Sequence, residues 1–241
     1  LSSESTPTPA VSWAVKERGC GAGIMITASH NPPIYNGFKI KEGYGGSARP
    51  ETTKLLEQIV AYNCAEKRPV RAKPFEEALH HGDVEQFDAA DGYLRQLGRM
   101  VDIEAIRKAA IPAVADPMFG AGSGFFRRLL GIDEIHDEPN PAFGGRPPEP
   151  IGENLQELCG LVASGRYRVG LALDGDADRI GAVDEHGEFF SSHAIFTLLL
   201  QHLKERKGLT GEVVKTVSST RMIDLLAQQY ELPLHETPIG F

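Results

Sequence analysis

The sequence predicts an α/β protein built from successive mixed α/β domains. Short apolar runs, which favour strands, alternate along the chain with segments whose apolar residues recur at helical spacing. The 241 residues are 41% hydrophobic, which is enough for one or two ordinary domains or for a series of partial ones. From the loops that separate these segments we expect three units, at residues 1–85, 86–190 and 191–241.

In the first unit, residues 23–33 combine a predicted strand with a turn that carries a hydroxyl, an imidazole and an amide. Its apolar part, residues 23–27, can be buried as a strand. Residues 31–33, Asn-Pro-Pro, can continue neither a helix nor a strand ladder, so the chain must turn there. Ser29 is then presented at the strand's exit. A serine hydroxyl in such a place is activated by a base or carries a phosphoryl group that it passes on.

Other interpretations of this turn are weaker. The nucleophile elbow of the α/β-hydrolases needs glycines where the chain has Thr27 and Asn31. His30 is adjacent to Ser29, whereas a catalytic base usually reaches its nucleophile from elsewhere in the fold, so an acyl-transfer triad has no local support. The stretch is also short enough to be a plain polar turn.

The remainder of the first unit is predicted to contain helices and a linker. Residues 11–18 and 51–63 are predicted helices, the second with clear amphipathic spacing. Residues 69–87 lack clear periodicity and form the first candidate linker. His80 and His81 lie within it, and without nearby cysteines or further spaced histidines we expect them to be solvated.

The second and third units continue the alternation of helices and strands. In the second unit we expect helices over 91–110, 125–130 and around 155–163, strands over 111–115 and near Ile135, and a hairpin of two strand-like runs within 169–183. In the third unit we expect a helix from Ser191 or Ser192 through Arg206, a strand over 213–217, a helix from Ser219 or Thr220 through Tyr230, and a strand over 232–236.

A loop of three aspartates joins two strand-like runs within residues 169–183. Asp174, Asp176 and Asp178 alternate with glycine and alanine, so that six carboxylate oxygens would repel one another strongly without a cation. Sites built only from oxygen ligands suit Mg²⁺ or Ca²⁺. The pattern therefore predicts a metal-binding loop, and a solvated acidic turn is the alternative.

These aspartates also occupy the first three ligand places of an EF-hand loop, with Glu185 at the twelfth. The match fails at the sixth place, where the EF-hand needs glycine and the chain has Arg179. Both flanks are also predicted strands where an EF-hand has helices. A guanidinium beside a cation suits an anionic ligand such as phosphate, which together with Ser29 indicates phosphoryl transfer.

The composition limits the partners. A formal net charge of −8 argues against a broad nucleic-acid or anionic-membrane surface, and no apolar run approaches the ~20 residues of a membrane span. We therefore expect neither nucleic acid nor a membrane as a partner. Cys20, Cys64 and Cys159 lie far apart in sequence, which is typical of reduced thiols and a cytoplasmic location.

At its two motifs the chain resembles the α-D-phosphohexomutases, which include phosphoglucomutases and phosphomannomutases. The resemblance rests on Thr-Ala-Ser-His-Asn-Pro at residues 27–32, followed by residues 35–40, and on Asp-Gly-Asp-Ala-Asp-Arg at residues 174–179. Residues 144–150 and 236–241 are also similar, so the likeness spans the whole chain.

The resemblance implies an enzyme that moves phosphate between the 1- and 6-positions of a hexose through a phosphoserine and a hexose 1,6-bisphosphate. Ser29 would be the phosphoserine, and its phosphate would bind one Mg²⁺ together with Asp174, Asp176 and Asp178. The ion would offset the phosphoserine's charge of about −2 and polarise its phosphorus.

Further roles follow from the same resemblance. Lys39 would be the general acid/base for the sugar hydroxyl, and His30 would lie near the same phosphate. Arg179 would contact phosphoryl oxygens. Lys215 and Gly240 resemble elements on the substrate side, although Lys215 is equally well explained as an edge-strand lysine.

In that family four domains surround one cleft. The resemblance assigns residues 1–85 to the C-terminal part of domain I, 86–190 to domain II and 191–241 to the N-terminal part of domain III, a phosphohexomutase fold truncated at both ends. We expect the fragment alone to be inactive. Glucose is favoured as the sugar and mannose stays open, while oligomeric state is not predicted. The alternatives are a phosphoglucosamine mutase, a Mg²⁺-dependent phosphatase and a non-enzymatic Ca²⁺-binding module.

Overall fold

The computed structural model describes residues 1–138 and 140–239 of the chain. Its described strands form one five-stranded sheet and two sheets of two strands, each accompanied by helices. The predicted α/β class, with successive mixed units, is therefore confirmed.

The first unit contains a hairpin and three helices. In chain order these are α1 (Thr8–Glu17), β1 (Ala22–Thr27), β2 (Gly37–Glu42), α2 (Pro50–Ala65) and α3 (Phe75–His80). β1 and β2 are antiparallel, with Thr27 opposite Gly37 and Met25 opposite Lys39. The turn between them carries Ser29, so this register brings Ser29 close to Lys39 on the neighbouring strand.

β1 differs from the buried strand predicted over residues 23–27. Its side chains alternate between half-buried and exposed positions, and Ile24 and Ile26 are 66% and 70% exposed. Successive side chains of a strand point to opposite faces, so a strand with one covered face shows this pattern. Helix α1 covers the other face, where Val15 lies directly against Gly23.

The second unit is built on the five-stranded sheet. Its elements are α4 (Ala89–Met100), α5 (Ile103–Ala109), β3 (Ala113–Asp116), α6 (Phe125–Leu130), β4 (Asp133–Glu134), a 3₁₀ turn (Phe143–Gly145), α7 (Gln156–Ala163), β5 (Val169–Leu173), β6 (Ile180–Val183) and β7 (Phe189–Phe190). The strand order is β4-β3-β5-β6-β7. β4, β3 and β5 are parallel, whereas β6 is antiparallel to both β5 and β7.

Two segments differ from the predicted secondary structure. The single helix predicted over 91–110 is two helices, because the Asp102 carboxylate accepts a hydrogen bond from the Ala105 N–H at 2.9 Å and begins α5. An aspartate that caps a new helix in this way interrupts the preceding one. The linker predicted over 69–87 contains α3, which begins directly after Pro74.

The third unit contains α8 (Ser192–Glu205), β8 (Val213–Thr216), α9 (Met222–Gln229) and β9 (Leu234–Thr237). The Ser191 hydroxyl accepts a hydrogen bond from the Ala194 N–H at 3.3 Å, so Ser191 is the cap residue of α8. β8 and β9 are parallel, and Lys215 lies opposite Glu236.

The main core lies between α7 and the five-stranded sheet. Val114, Leu158, Val162 and Val183 are fully buried there, and each such side chain contributes about 1.5–3 kcal/mol to folding. This core fixes β5 and β6 and therefore the loop that joins them. None of the helices in the described ranges is long and apolar enough to span a bilayer.

Candidate active site

The aspartate loop is the turn of the β5–β6 hairpin. Leu173 pairs with Ile180, so residues 174–179 form the connection. One oxygen of Asp174, Oδ1, accepts hydrogen bonds from the N–H groups of Asp178 and Arg179, both at 2.9 Å. Asp174 thus closes the loop through its own side chain, as aspartates commonly do in turns. Both flanks are strands, in agreement with the rejection of an EF-hand.

The three carboxylates form a cluster that fits a divalent cation. One oxygen from each of Asp174, Asp176 and Asp178 lies within 4.8 Å of the others. Asp174 and Asp176 are 0% and 1% exposed, and Asp174 Oδ2 and Asp176 Oδ1 are buried with no hydrogen-bond partner among the described residues. A buried acceptor left unpaired costs about 1–3 kcal/mol. A hard divalent cation would satisfy both oxygens.

Lys39 lies between this cluster and the serine. Its Nζ is 2.7 Å from Asp176 Oδ2, 2.7 Å from Asp178 Oδ2 and 3.5 Å from Ser29 Oγ. Burial favours the neutral amine, but the hydrogen bonds and charges of the two aspartates outweigh it, so the pKa of Lys39 is raised. The side chain is therefore an ammonium ion within reach of the serine oxygen.

Ser29 lies in a left-handed backbone conformation, with φ of 54°. Its N–H donates to Thr27 Oγ1 at 2.7 Å, which fixes the turn that follows β1. A cavity of about 320 Å³ opens beside the Ser29 and Lys39 side chains, and its walls are formed by residues 27–29 and 35–39 together with Asn31. The hydroxyl is thus accessible from a cleft.

The serine turn and the aspartate loop touch through a glycine. A Cβ placed on Gly175 would lie 2.4 Å from the carbonyl oxygen of Ser29 and 2.9 Å from Pro148 Cγ. Atoms cannot approach so closely, so only glycine allows this contact between the first and second units. This contact helps to set the distance between the Ser29 hydroxyl and the carboxylates of the aspartate loop.

We expect Gly175→Ala to separate the two loops and to lower the free energy of unfolding by about 1–3 kcal/mol, as overpacking typically does. Urea unfolding measures the effect. Gly98→Ala is the matched control: Gly98 lies in α4 with no atom within 4 Å of an added Cβ, and alanine there should stabilise the helix by up to about 1 kcal/mol. Equal effects of the two substitutions would contradict the close contact.

His30 directly follows Ser29 and Arg179 directly follows Asp178, and the side chains of both have few contacts in the described structure. His30 Nδ1 is buried and has no hydrogen-bond partner in the described structure. Arg179 Nη1 is 4.0 Å from Glu149 Oε1, and the Arg179 side chain is 40% exposed. An exposed guanidinium held by one long ion pair can turn towards an anionic ligand, so the predicted role of Arg179 stays open.

The other predicted residues lie elsewhere or outside the described residues. Lys215 on β8 is buried, and its Nζ contacts Asp224 Oδ2 at 2.7 Å and Glu236 Oε2 at 3.0 Å. Its substrate role stays a prediction. Gly240 lies outside the described residues. In the described ranges the only group of three or more potential metal ligands is the aspartate cluster, which does not include His80 or His81.

One contact of the site was missed from the sequence. Thr8, the first residue of α1, donates its hydroxyl hydrogen to Asp176 Oδ2 at 2.7 Å and its N–H to the Asp176 carbonyl at 2.8 Å. The available signal was Thr-Pro-Thr-Pro at residues 6–9, directly before a predicted helix. That pattern predicts a helix start, but it does not name a partner 168 positions away.

The carboxylates of the cluster differ in their acidity. Burial is the main reason why the pKa of Asp174 is raised to about 7, and the charges of Asp176 and Asp178 add to it. For Asp176, burial acts in the same direction, but the hydrogen bonds from Lys39 and Thr8 outweigh it and hold the pKa below its usual value. Asp174 thus retains a proton at pH values where Asp176 is ionised.

The raised pKa of Asp174 predicts that, without metal, the free energy of unfolding depends on pH. Between the unfolded pKa near 4 and the folded pKa of about 7, the folded chain holds a proton on Asp174 that the unfolded chain has lost, so stability falls as pH rises. We expect Asp174→Asn, which keeps the accepting Oδ1, to remove this fall, on the order of 1 kcal/mol per pH unit. Urea unfolding at pH 5 and 7 in EDTA measures it. Parallel pH profiles would contradict the assignment.

Comparison with known proteins identifies relatives over the whole chain. Models of the phosphoglucomutase/phosphomannomutase α/β/α domains I, II and III match residues 1–66, 91–187 and 191–241. A phosphoglucomutase/phosphomannomutase of Thermococcus kodakarensis is 31% identical, with 97% of this chain and 50% of that protein covered. A Methanothermobacter thermautotrophicus protein, provisionally named a phosphoglucosamine mutase, is 34% identical, with coverage of 90% and 46%. The chain thus spans about half the length of these relatives.

Solved structures of phosphohexomutases are also similar to this chain. A crystal structure from Thermus thermophilus, provisionally named a phosphomannomutase, has a TM-score of 0.86 and 34% identity over 100% of this chain and 54% of that one. Aspergillus fumigatus N-acetylphosphoglucosamine mutase, crystallised with GlcNAc-6P and magnesium, shares the fold at a TM-score of 0.55 and 20% identity, covering 97% of this chain and 58% of that one. Since the three family models together match most of its residues, the chain belongs to the phosphoglucomutase/phosphomannomutase family.

Proposed function

We propose that this chain carries the phosphoserine and the metal site of a phosphohexomutase, which moves phosphate between the 1- and 6-positions of a hexose. The observation that carries the proposal is that Lys39 joins Ser29 to the aspartate cluster. Its Nζ contacts Ser29 Oγ, Asp176 Oδ2 and Asp178 Oδ2, and Ser29 and Lys39 both line a cleft. Nucleophile, ammonium and carboxylates are the groups that phosphoryl transfer needs.

Mg²⁺ is the proposed cofactor, held by Asp174, Asp176 and Asp178 and by a phosphate on Ser29. Two buried carboxylate oxygens, Asp174 Oδ2 and Asp176 Oδ1, have no hydrogen-bond partner in residues 1–138 and 140–239, which supports this assignment. When bound, the ion would offset negative charge on the phosphoryl group. Arg179, next to the last of the three aspartates, would bind phosphoryl oxygens in the same place. His30, the residue after Ser29, would lie near the same phosphate.

Lys39 is proposed to transfer the proton. As the bond between Ser29 Oγ and phosphorus breaks and the sugar oxygen bonds to that phosphorus, the Lys39 ammonium donates a proton to Oγ and recovers one from the sugar hydroxyl. The net result is one proton moved from sugar to serine, with the lysine unchanged. The 3.5 Å between Nζ and Oγ and the raised pKa of Lys39 support its role as the donor.

The substrate class is a phosphorylated hexose, with hexose 1,6-bisphosphate as the phosphoryl donor. Glucose is our first candidate, with mannose next. Glucosamine is a second candidate because a relative with 34% identity is provisionally named a phosphoglucosamine mutase. Lys215 and Gly240 are proposed to take part in substrate binding, as elements of a domain III that begins near residue 191. We propose a cytoplasmic location, for which the three free cysteines are suited.

The test is to map phosphate after incubation with a bisphosphate. The protein as its gene encodes it is mixed with glucose 1,6-bisphosphate and Mg²⁺, digested, and analysed by mass spectrometry. We expect one phosphoryl group on Ser29, absent when EDTA is added. The same experiment with mannose and glucosamine 1,6-bisphosphates ranks the sugars by their rates of phosphorylation.

Two outcomes would contradict a mutase. Stoichiometric release of inorganic phosphate would indicate a Mg²⁺-dependent phosphatase, which uses similar groups but passes the phosphoryl group to water. Preferential binding of Ca²⁺ over Mg²⁺, with Ser29 unmodified, would indicate a Ca²⁺-binding module.

A further inference from the structure

Helix α1 begins against the aspartate loop. Thr8, its first residue, is 2% exposed, and both of its hydrogen-bond donors are directed to Asp176. The backbone N–H binds the Asp176 carbonyl at 2.8 Å, and the hydroxyl binds Asp176 Oδ2 at 2.7 Å. The first N–H groups of a helix have no partner inside it, so the loop supplies the acceptor that α1 lacks.

The hydroxyl bond has a separate consequence for the carboxylate. Asp176 Oδ2 accepts from Thr8 Oγ1 and from Lys39 Nζ, whereas Asp176 Oδ1 is buried without a partner in the described structure. A carboxylate held through one oxygen cannot rotate freely. Its second oxygen therefore keeps one direction, within the group of ligand oxygens that lie inside 4.8 Å of one another.

The two donors on Oδ2 differ in how they respond to a cation. Lys39 is positively charged and would be repelled by a divalent ion in the cluster. Thr8 is neutral and is fixed at the start of a helix that packs on α4 and β1. Its hydroxyl bond is therefore the one that persists when a cation binds.

We propose that Thr8 is a positioning residue for the divalent-cation site: its hydroxyl holds Asp176 so that Oδ1 is available as a ligand. The inference rests on the proposed function in taking Mg²⁺ as the cation. It adds Thr8, a residue of the first unit, to a metal site whose three aspartates lie in the second. Groups that orient metal ligands typically contribute 10–100-fold to metal affinity.

The test compares Mg²⁺ affinity among variants of Thr8, measured by isothermal titration calorimetry on the protein as its gene encodes it. Thr8→Val has nearly the shape of threonine and keeps the backbone N–H bond, so it removes only the hydroxyl. We expect it to weaken Mg²⁺ binding about tenfold or more. Thr8→Ser keeps a hydroxyl and should bind within about twofold of the wild type, a rescue that a role in packing alone would not give.

Thr52→Val is the matched control. The Thr52 hydroxyl donates to Glu42 Oε1 at 3.1 Å, a contact between α2 and β2 outside the cluster. We expect this variant to bind Mg²⁺ as the wild type does. If Thr8→Val does not fold, as judged by circular dichroism, Thr8→Ala serves as a smaller variant without a hydroxyl.

The outcomes separate this inference from the proposed function. Equal affinity of Thr8→Val and the wild type, or failure of Thr8→Ser to restore binding, would overturn the positioning role and leave the proposed function standing. A wild-type protein that binds no Mg²⁺, whether Ser29 is phosphorylated or not, would contradict the metal site of the proposed function and the positioning role with it.

Discussion

In the proposed phosphohexomutase, tested as its gene encodes it, replacement of Ser29 by alanine is expected to abolish phosphoryl uptake from a hexose 1,6-bisphosphate and to reduce mutase turnover by at least about 10⁴-fold. The reason is that Oγ is the atom that would carry the phosphoryl group, and no other hydroxyl is in contact with the Lys39 ammonium among the described residues. The measurement is mass spectrometry of the intact protein together with a coupled assay for hexose 6-phosphate.

The substitution is structurally mild, which makes its result easy to interpret. Alanine keeps a Cβ at the left-handed φ of 54° and leaves the N–H bond to Thr27 in place. Ser47→Ala is a suitable control, since the Ser47 hydroxyl lies at the far end of β2 and accepts from Lys41. Phosphate still bound to the Ser29→Ala protein would show that another residue carries it.

Lys39→Met is expected to have the second largest effect, a loss of phosphoryl transfer of about 10²–10⁴-fold, the usual contribution of a positioned acid or base. Methionine keeps the length and the apolar stem of lysine but not the ammonium. Single-turnover transfer from the phosphorylated protein to a hexose phosphate measures the loss directly.

The affinity for Mg²⁺ should not fall in Lys39→Met, although phosphoryl transfer does. The Lys39 ammonium lies 2.7 Å from Asp176 and from Asp178 and repels a cation there, so Lys39→Met should bind Mg²⁺ at least as tightly as the wild type. Lys41→Met is the matched control two residues along β2, where the Lys41 Nζ contacts Ser47 instead of the cluster. Weaker Mg²⁺ binding in Lys39→Met, or equal losses of transfer in the two variants, would contradict the role given to Lys39.

Local sequence was sufficient where local interactions determine structure. The β5–β6 hairpin was predicted because apolar runs flank a Gly- and Asp-rich turn, and the turn is closed by Asp174 with its own neighbours. The helix over 125–130 was predicted to the residue. The turn that presents Ser29 followed from Asn-Pro-Pro, which excludes regular structure whatever the surroundings.

Local sequence was insufficient in two cases. One is the break between two helices, which depends on a single capping hydrogen bond, and the other is the burial of a strand, which depends on whether another element packs on its face. Asp102 was predicted inside a helix and instead begins one, because its carboxylate accepts the Ala105 N–H. Ile24 and Ile26 were predicted to be buried, and the structure leaves them exposed on the face of β1 opposite α1. Neither outcome can be decided from residue type alone.

The groups that this protein has for chemistry are readable from short stretches of its sequence: a serine in a turn, a loop of three aspartates and an arginine beside it. Each is encoded in a few consecutive residues, which is why motif and family resemblance identified them. Three contacts of the site became visible only in the folded chain: Lys39 lies between the serine and the carboxylates, Gly175 touches Ser29, and Thr8 donates to Asp176. These contacts join residues far apart in the chain, and the packing of whole elements sets their distances.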